Sequence, residues 1–239
     1  MILTLEDFKK RIELSFVHQF VSKEDIYKFC KDALKAEVGV VCVNPVNIKL
    51  VKRLLKSSSI NISGNVGFPF GSHLTEVKVL EAKKVIEHGA NQIDLVINVG
   101  ALKSKEDNLV YNDILEVVNA VKGFTVKAII ETWVLNDNEK IRACKIAEKA
   151  GVDIVKTTTG VRTQYLKMVN KTPKGAIVKD IILMRKVLNP RCKIKASGGI
   201  YELDYALTLL RAGAYQLGVS KGMQIIGEFV KKYGNSCKL

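Results

Sequence analysis

Aromatic side chains make up only 7% of these 239 residues, and histidine occurs three times, at positions 18, 73 and 88. With so few aromatics, and with no zinc-finger spacing or basic-region heptad, the usual signs of a nucleic-acid module are missing. The histidines form no H-x-x-x-H pair, so no metal centre is expected. Five cysteines, at 30, 42, 144, 192 and 237, are odd in number and contain no C-x-x-C spacing. That pattern excludes a disulfide scaffold and points to a reducing compartment. Apolar runs such as Val38 to Val43 fall far short of the roughly 18 residues that suggest a membrane span. Glu6, Asp7 and Lys9 interrupt the start of the chain where a signal peptide would be apolar. The expected protein is soluble and cytoplasmic, with neither metal nor cofactor.

What the chain does have is apolar content, 47% of its residues, in a length typical of barrels of alternating strand and helix. No Pro-, Gly- or Ser-rich linker divides it, and Ser57-Ser58-Ser59 suffices only for a turn. Residues 1–239 therefore read as one domain. Thirty-eight basic against 24 acidic residues leave a net charge of +14. That surplus favours encounter with anions such as phosphorylated metabolites, RNA or an acidic surface, although scattered solvated lysines are the plainer account of it.

Short β-branched runs recur at Val38 to Val43, Ile60 to Val66, Gln92 to Ile97, Thr125 to Ile130, Val152 to Thr157, Lys193 to Ala196 and Tyr215 to Val219. They are spaced by about 22 to 40 residues, room for one crossover helix each, which is the pattern of a parallel sheet. The eighth strand that a barrel requires is sought in Arg11 to Phe16, ahead of a helix start at Ser22-Lys23-Glu24-Asp25. Helix ends carrying Gly89, Gly151 and Gly213 fall 62 residues apart, two strand-helix units of about 31 residues. Five residues past these glycines stand Asp94, Lys156 and Gly218. Alternate strands of a barrel share interior layers, so Asp94 and Lys156 are expected to face the same space. The expected fold is α/β, a (β/α)8 TIM barrel of eight parallel strands ringed by helices, with a doubly wound open sheet as the alternative.

A parallel strand is covered on both faces and normally reads as continuous Val, Ile and Leu, so charges inside one need a reason. Period-2 alternation puts Asp94 on one face with Val96 and Asn98, Lys156 with Ile154 and Thr158, and Lys195 with Lys193 and Ser197. If those faces look inward, Asp94, Lys156 and Lys195 converge. One acid against two bases is a poor structural ion pair. It is a good arrangement for an amine nucleophile, because a lysine desolvated beside a second cation has its pKa lowered, which frees it to attack a carbonyl and form a Schiff base. The carboxylate can then move protons. Gly160 follows one of these strands and Gly198-Gly199 another, while Ser220-Lys221-Gly222 follows the last strand. Loops in such places commonly hold phosphate through backbone N–H groups.

With these residues the chain resembles the 2-deoxyribose-5-phosphate aldolase family, class I aldolases on a (β/α)8 barrel. The resemblance runs through Val41-Cys42-Val43-Asn44-Pro45, Val66 to Gly71, Thr75 to Lys78, Ile93 to Lys103, Ile129 to Thr132, Val155 to Gly160 and Lys195 to Ile200. It implies a lyase of deoxyribonucleotide catabolism that reversibly cleaves 2-deoxy-D-ribose 5-phosphate into D-glyceraldehyde 3-phosphate and acetaldehyde. Lys156 would form the Schiff base, Lys195 would tune its pKa, and Asp94 with water would shuttle protons. Gly160, Gly198, Gly199 and Ser220 would hold the phosphate, and the assembly would be a homodimer or homotetramer.

The chain departs from the family pattern at Glu13, where an Asp is usual, at Tyr201 after the Gly-Gly-Ile, and at Ser220-Lys221, where a Ser-Ser pair is common. The segment 161–174, with Arg162, Lys167, Lys171 and Lys174, is about ten residues longer than the family loop it resembles. Two alternatives follow: the same Schiff-base chemistry with another aldehyde acceptor, or a non-catalytic barrel that binds anions or nucleic acid.

Overall fold

The computed structural model describes residues 2–161 and 175–239, so Arg162, Lys167, Lys171 and Lys174 lie outside the described residues. A short strand β1 (Ile2–Thr4) and helix α1 (Leu5–Arg11) lead into β2 (Ile12–Phe16) and α2 (Lys23–Ala36). Then follow β3 (Val40–Val43) with α3 (Ile48–Leu54), β4 (Asn61–Val66) with α4 (Thr75–Glu87), and β5 (Gln92–Val96) with α5 (Val99–Lys103) and α6 (Asp107–Ala120). The second half runs β6 (Thr125–Ile129), α7 (Asp137–Lys149), β7 (Ile154–Lys156), α8 (Val178–Val187), β8 (Lys193–Ser197), α9 (Leu203–Arg211), β9 (Gln216–Val219), α10 (Gly222–Tyr233) and β10 (Ser236–Lys238).

Strands β2 to β9 are parallel and close on themselves, since β2 pairs with β9 through Ile12↔Leu217 and Leu14↔Val219. Closure decides between the two expected architectures: the sheet is a barrel, and its eight strands are the eight read from the sequence, with ends shifted by a residue or two. The strand read at Arg11 to Phe16 is the one that closes the ring. Strands β1 and β10 pair antiparallel apart from the barrel, and α1 is held to α10 by the stacked rings of Phe8 and Phe229, 4.7 Å apart.

Local sequence explains the element ends. Helix α2 begins at Ser22, whose hydroxyl accepts from the Asp25 N–H while the Asp25 carboxylate accepts from the Ser22 N–H. Asn136 and Glu139 make the same reciprocal cap on α7. The three glycines spaced by 62 residues each follow a helix end with positive φ, 110° at Gly89, 88° at Gly151 and 113° at Gly213, a conformation that other residues adopt at a cost. Outward residues such as Ile93, Leu95, Val126 and Ala128 join one apolar cluster with the helices, from Leu3 to Cys237. Inward residues, Asp94 among them, form a polar interior.

Candidate active site

Five charged side chains from five barrel strands meet in the interior: Glu13, Asp94, Lys127, Lys156 and Lys195, all at most 3% exposed. Asp94 lies at their centre. Its Oδ2 accepts from Lys156 Nζ at 2.5 Å and from Lys195 Nζ at 2.7 Å, and its Oδ1 from Lys127 Nζ at 3.0 Å and Ser63 Oγ at 2.8 Å. Glu13 takes Lys127 on Oε2 at 2.6 Å and Lys195 on Oε1. The register explains the meeting, since Asp94 pairs with Lys127 across β5 and β6, and Lys156 with Lys195 across β7 and β8. Gly218, third in the spaced series after Asp94 and Lys156, contributes no side chain. A Cβ there would lie 3.0 Å from Lys195 Cε, so the glycine makes room for that lysine.

The trio expected from the sequence is therefore assembled, but in a larger cluster. Lys127 and Glu13 follow the same signal, a charge inside a buried parallel strand, as Asp94, Lys156 and Lys195. Lys193, which shares the face of Lys195, instead ends up exposed, at the opposite end of the barrel from the cavity described below.

The expected lowering of the Lys156 pKa is overturned. Burial pushes its ammonium down, but the charges of Asp94 and Glu13 and the hydrogen bond to Asp94 outweigh burial, and the pKa is raised above the ordinary lysine value of 10.5. The physical reason is contact: the Lys156 ammonium donates directly to Asp94 Oδ2 at 2.5 Å. Burial likewise raises the Asp94 carboxyl, yet Lys127, Lys156 and Lys195 together hold it well below the ordinary 3.8, and Glu13 is also lowered against burial by its lysine neighbours. Donor atoms of Glu13, Cys42 and Asp94 lie within 4.8 Å of one another. Both carboxylates already take ammonium groups, and three buried positive charges there repel a metal cation.

Lys156 reaches a cavity of about 400 Å³ at the C-terminal end of the strands. Gly160, Gly198, Gly199, Ser197 and Ser220 line it, and His18, Phe68 and Tyr201 also border it. Ser220 is exposed on the rim. All four residues expected to hold phosphate therefore share one cavity with Lys156. Gly198 has φ +91°, and a Cβ on it would lie 2.8 Å from Thr158 Oγ1 and 3.2 Å from the Trp133 ring. The close passage of the two glycine loops thus depends on that residue. A larger hollow, about 1210 Å³, opens at the opposite end of the barrel. It contains none of the five clustered charges, so the smaller cavity is the site.

Glu131 supports the Thr159-Gly160 turn beside the cavity. Its Oε2 accepts from the Thr159 N–H at 3.2 Å, its backbone is left-handed at φ 57°, and Oε1 is buried with no partner. Burial raises its pKa. A non-glycine residue in this conformation is strained, and such strain commonly marks functional sites.

Residues 5–227 match the model of the DeoC/LacD family of aldolases. The chain belongs to this aldolase family. Among curated relatives, the deoxyribose-phosphate aldolase of Thermococcus kodakarensis is 42% identical over 224 residues, covering 92% of this chain and 96% of the relative. That of Streptococcus sanguinis is 42% identical over 217 residues, with 91% and 94% covered. Among solved structures, an aldolase called QR15 superposes with a TM-score of 0.86 at 32% identity, covering 94% of this chain and 96% of that one. The deoxyribose phosphate aldolase of Aeropyrum pernix, described as a unique tetramer, gives 0.84 at 28% identity, with 95% and 92% covered. The match to the aldolase family thus extends over both the charged cluster and the cavity of this chain.

Proposed function

We propose that the protein is a metal-independent class I aldolase that reversibly cleaves 2-deoxy-D-ribose 5-phosphate into D-glyceraldehyde 3-phosphate and acetaldehyde through a Schiff base on Lys156. The observation that carries this reading is that Lys156, alone of the clustered lysines, borders the cavity, with its Nζ 2.5 Å from the Asp94 carboxylate.

The cycle begins from the fraction of Lys156 that has lost its proton to water, and the free amine attacks C1 of the open-chain sugar. The carbinolamine loses water to give an iminium ion. Breaking the C2–C3 bond moves its electrons into an enamine, while the C3 hydroxyl gives up its proton and becomes the aldehyde of glyceraldehyde 3-phosphate. Protonation of the enamine at C2 and hydrolysis release acetaldehyde and return the amine. Asp94 and water carry these protons, and Lys195, 2.7 Å from the same Asp94 oxygen, sets how readily Asp94 takes them. Three lysines against two carboxylates give the cluster a net charge of +1 when Lys156 is protonated. The iminium restores that charge at the same nitrogen, so the carboxylates that raise the Lys156 pKa also stabilise the intermediate.

Gly160, Gly198, Gly199 and Ser220 are the phosphate cup in this reading, and the net charge of +14 favours capture of the anionic substrate. We assign residues 1–239 to one catalytic domain and place it in the cytoplasm. The continuous core supports the first assignment. Five free, buried cysteines support the second, and among the described residues no helix is long and apolar enough to cross a membrane. We assign a homodimer or homotetramer as its assembly.

The test is turnover of 2-deoxyribose 5-phosphate, read as acetaldehyde release, beside a panel of acceptor aldehydes in the synthetic direction. Glyceraldehyde 3-phosphate is expected to be the best acceptor, and Lys156→Ala is expected to abolish turnover with an unchanged circular dichroism spectrum. Faster reaction with another acceptor would keep the chemistry and overturn the substrate; full activity of Lys156→Ala would overturn the mechanism.

A further inference from the structure

The single tryptophan of the chain stands outside the lining of the cavity, against the back of one of its glycine turns. Trp133 lies on the short turn Thr132–Val134 that follows β6. The chain reaches that turn alongside β7 and its extension: the Ile130 N–H donates to the Lys156 carbonyl at 3.0 Å and the Thr132 N–H to the Thr157 carbonyl at 2.9 Å, with left-handed Glu131 between them. The indole N–H then donates to the Gly175 carbonyl at 3.0 Å, and the next N–H, of Ala176, donates to the Gly198 carbonyl at 2.9 Å. The ring closes the circuit, because a Cβ added to Gly198 would lie 3.2 Å from Trp133 Cζ2. Gly198 is thus held twice by one residue, at its carbonyl by way of Gly175-Ala176 and at its Cα by the ring.

We propose that Trp133 is a positioning residue for the phosphate group: it sets the gap between the Gly198-Gly199 turn and the Thr159-Gly160 turn, and so governs affinity for the phosphate without itself lining the cavity. The inference rests on the phosphate-cup reading above. Geometry carries it. The two turns pass so closely that a Cβ on Gly198 would lie 3.4 Å from Gly160 Cα, and one on Gly160 3.7 Å from Gly198 Cα. Backbone N–H groups hold a tetrahedral anion only when they converge on it, so a small displacement of either turn loosens that hold. The nucleophile is insulated from such a displacement, since Lys156 is fixed from inside the barrel by Asp94 at 2.5 Å. The place calls for a flat donor: the ring lies against a residue with no side chain, and its edge carries one N–H. Phenylalanine would keep the first property and lose the second.

The test is steady-state cleavage of 2-deoxyribose 5-phosphate and of 2-deoxyribose by the wild type, Trp133→Phe and Trp133→Ala, with inorganic phosphate as a competing inhibitor. The wild type is expected to favour the phosphorylated sugar. Trp133→Phe should raise KM for that sugar by roughly 3- to 10-fold, the worth of one hydrogen bond, at nearly unchanged kcat. The inhibition constant of phosphate should rise by the same factor, and Trp133→Ala should raise both further. Neither variant should alter kcat/KM for 2-deoxyribose or the rate at which borohydride traps acetaldehyde on Lys156; a residue that only supported the fold would move these too. Circular dichroism checks folding, and Trp133→Phe carries the test if Trp133→Ala does not fold. With a wild type that favours the phosphorylated sugar, an unmoved KM in every variant that folds, or equal losses with both sugars, would overturn this proposal alone. A wild type indifferent to the phosphate, or without turnover, would overturn the cup reading and the proposal with it.

Discussion

At Lys156 two opposing effects meet: removal from water, which favours the neutral amine, and the nearby carboxylates, which favour the ammonium ion. The carboxylates prevail, and the pKa is raised. The free amine is then a minor form at neutral pH, and its share grows as pH rises. We therefore expect kcat/KM to climb through the neutral range into the alkaline one; a profile already flat at neutral pH would contradict this sign. Lys127 enters the same balance without bordering the cavity, as a positioning residue. Lys127→Met removes a cation from around Asp94 and Lys156, which makes Lys156 hold its proton harder and should move the rising limb to higher pH. Lower activity with an unmoved limb would mean that Lys127 only fills space. Reading charges inside strands was enough to find Asp94, Lys156 and Lys195 from the sequence, and the same rule covers Lys127 and Glu13. The sign of the Lys156 shift was not legible, because it depends on which oxygens face which ammonium, and that requires the barrel to be closed.

Secondary-structure elements outside the barrel interior are joined by a different kind of charge. Lys78 of α4 donates to Asp113 of α6 at 2.6 Å and to the Val96 carbonyl at 3.1 Å, while Lys140 of α7 donates to Asp180 of α8 at 2.7 Å. Both pairs are largely buried between neighbouring helices, and none of the four residues borders the cavity. Removing one partner leaves the other charge buried and unpaired, at a cost of about 3 to 5 kcal/mol. Lys78→Met should then lower Tm by about 6 to 20 °C, and adding Asp113→Leu should recover much of the loss. Calorimetry of the single and double variants checks this; a neutral single variant would contradict the pairing. The strands were legible in the sequence because their β-branched runs are bounded by turn residues. The helix pairs were not, since a lysine on a helix reads as solvated until the neighbouring helix is known.

For the whole molecule, the charged barrel interior links stability to pH. Glu13 and Asp94 are lowered in the folded state, so their contribution is complete above the ordinary carboxylate values of 4.5 and 3.8 and is lost as pH falls through the lowered folded ones. Lys156 is raised, so its contribution is complete below 10.5 and is lost as pH rises through its folded value. The stability that wild type holds over Glu13→Gln should thus stay level between about pH 5 and 10 and shrink at more acid pH, as melting curves across pH would show. A difference that grew toward acid pH would reverse the assigned sign. Closure of the ring was only partly legible, because the strand from Ile12 to Phe16 is short, and its place is settled by pairing with both β3 and β9.

The central claim is that Lys156 is the nucleophile. Incubation with 2-deoxyribose 5-phosphate, and separately with acetaldehyde, followed by borohydride reduction and peptide mass spectrometry, tests it most directly. The account predicts a reduced adduct on Lys156 in both samples, and none on Lys127 or Lys195, which are sealed behind it. An adduct on another lysine, or no adduct in either sample, would contradict it.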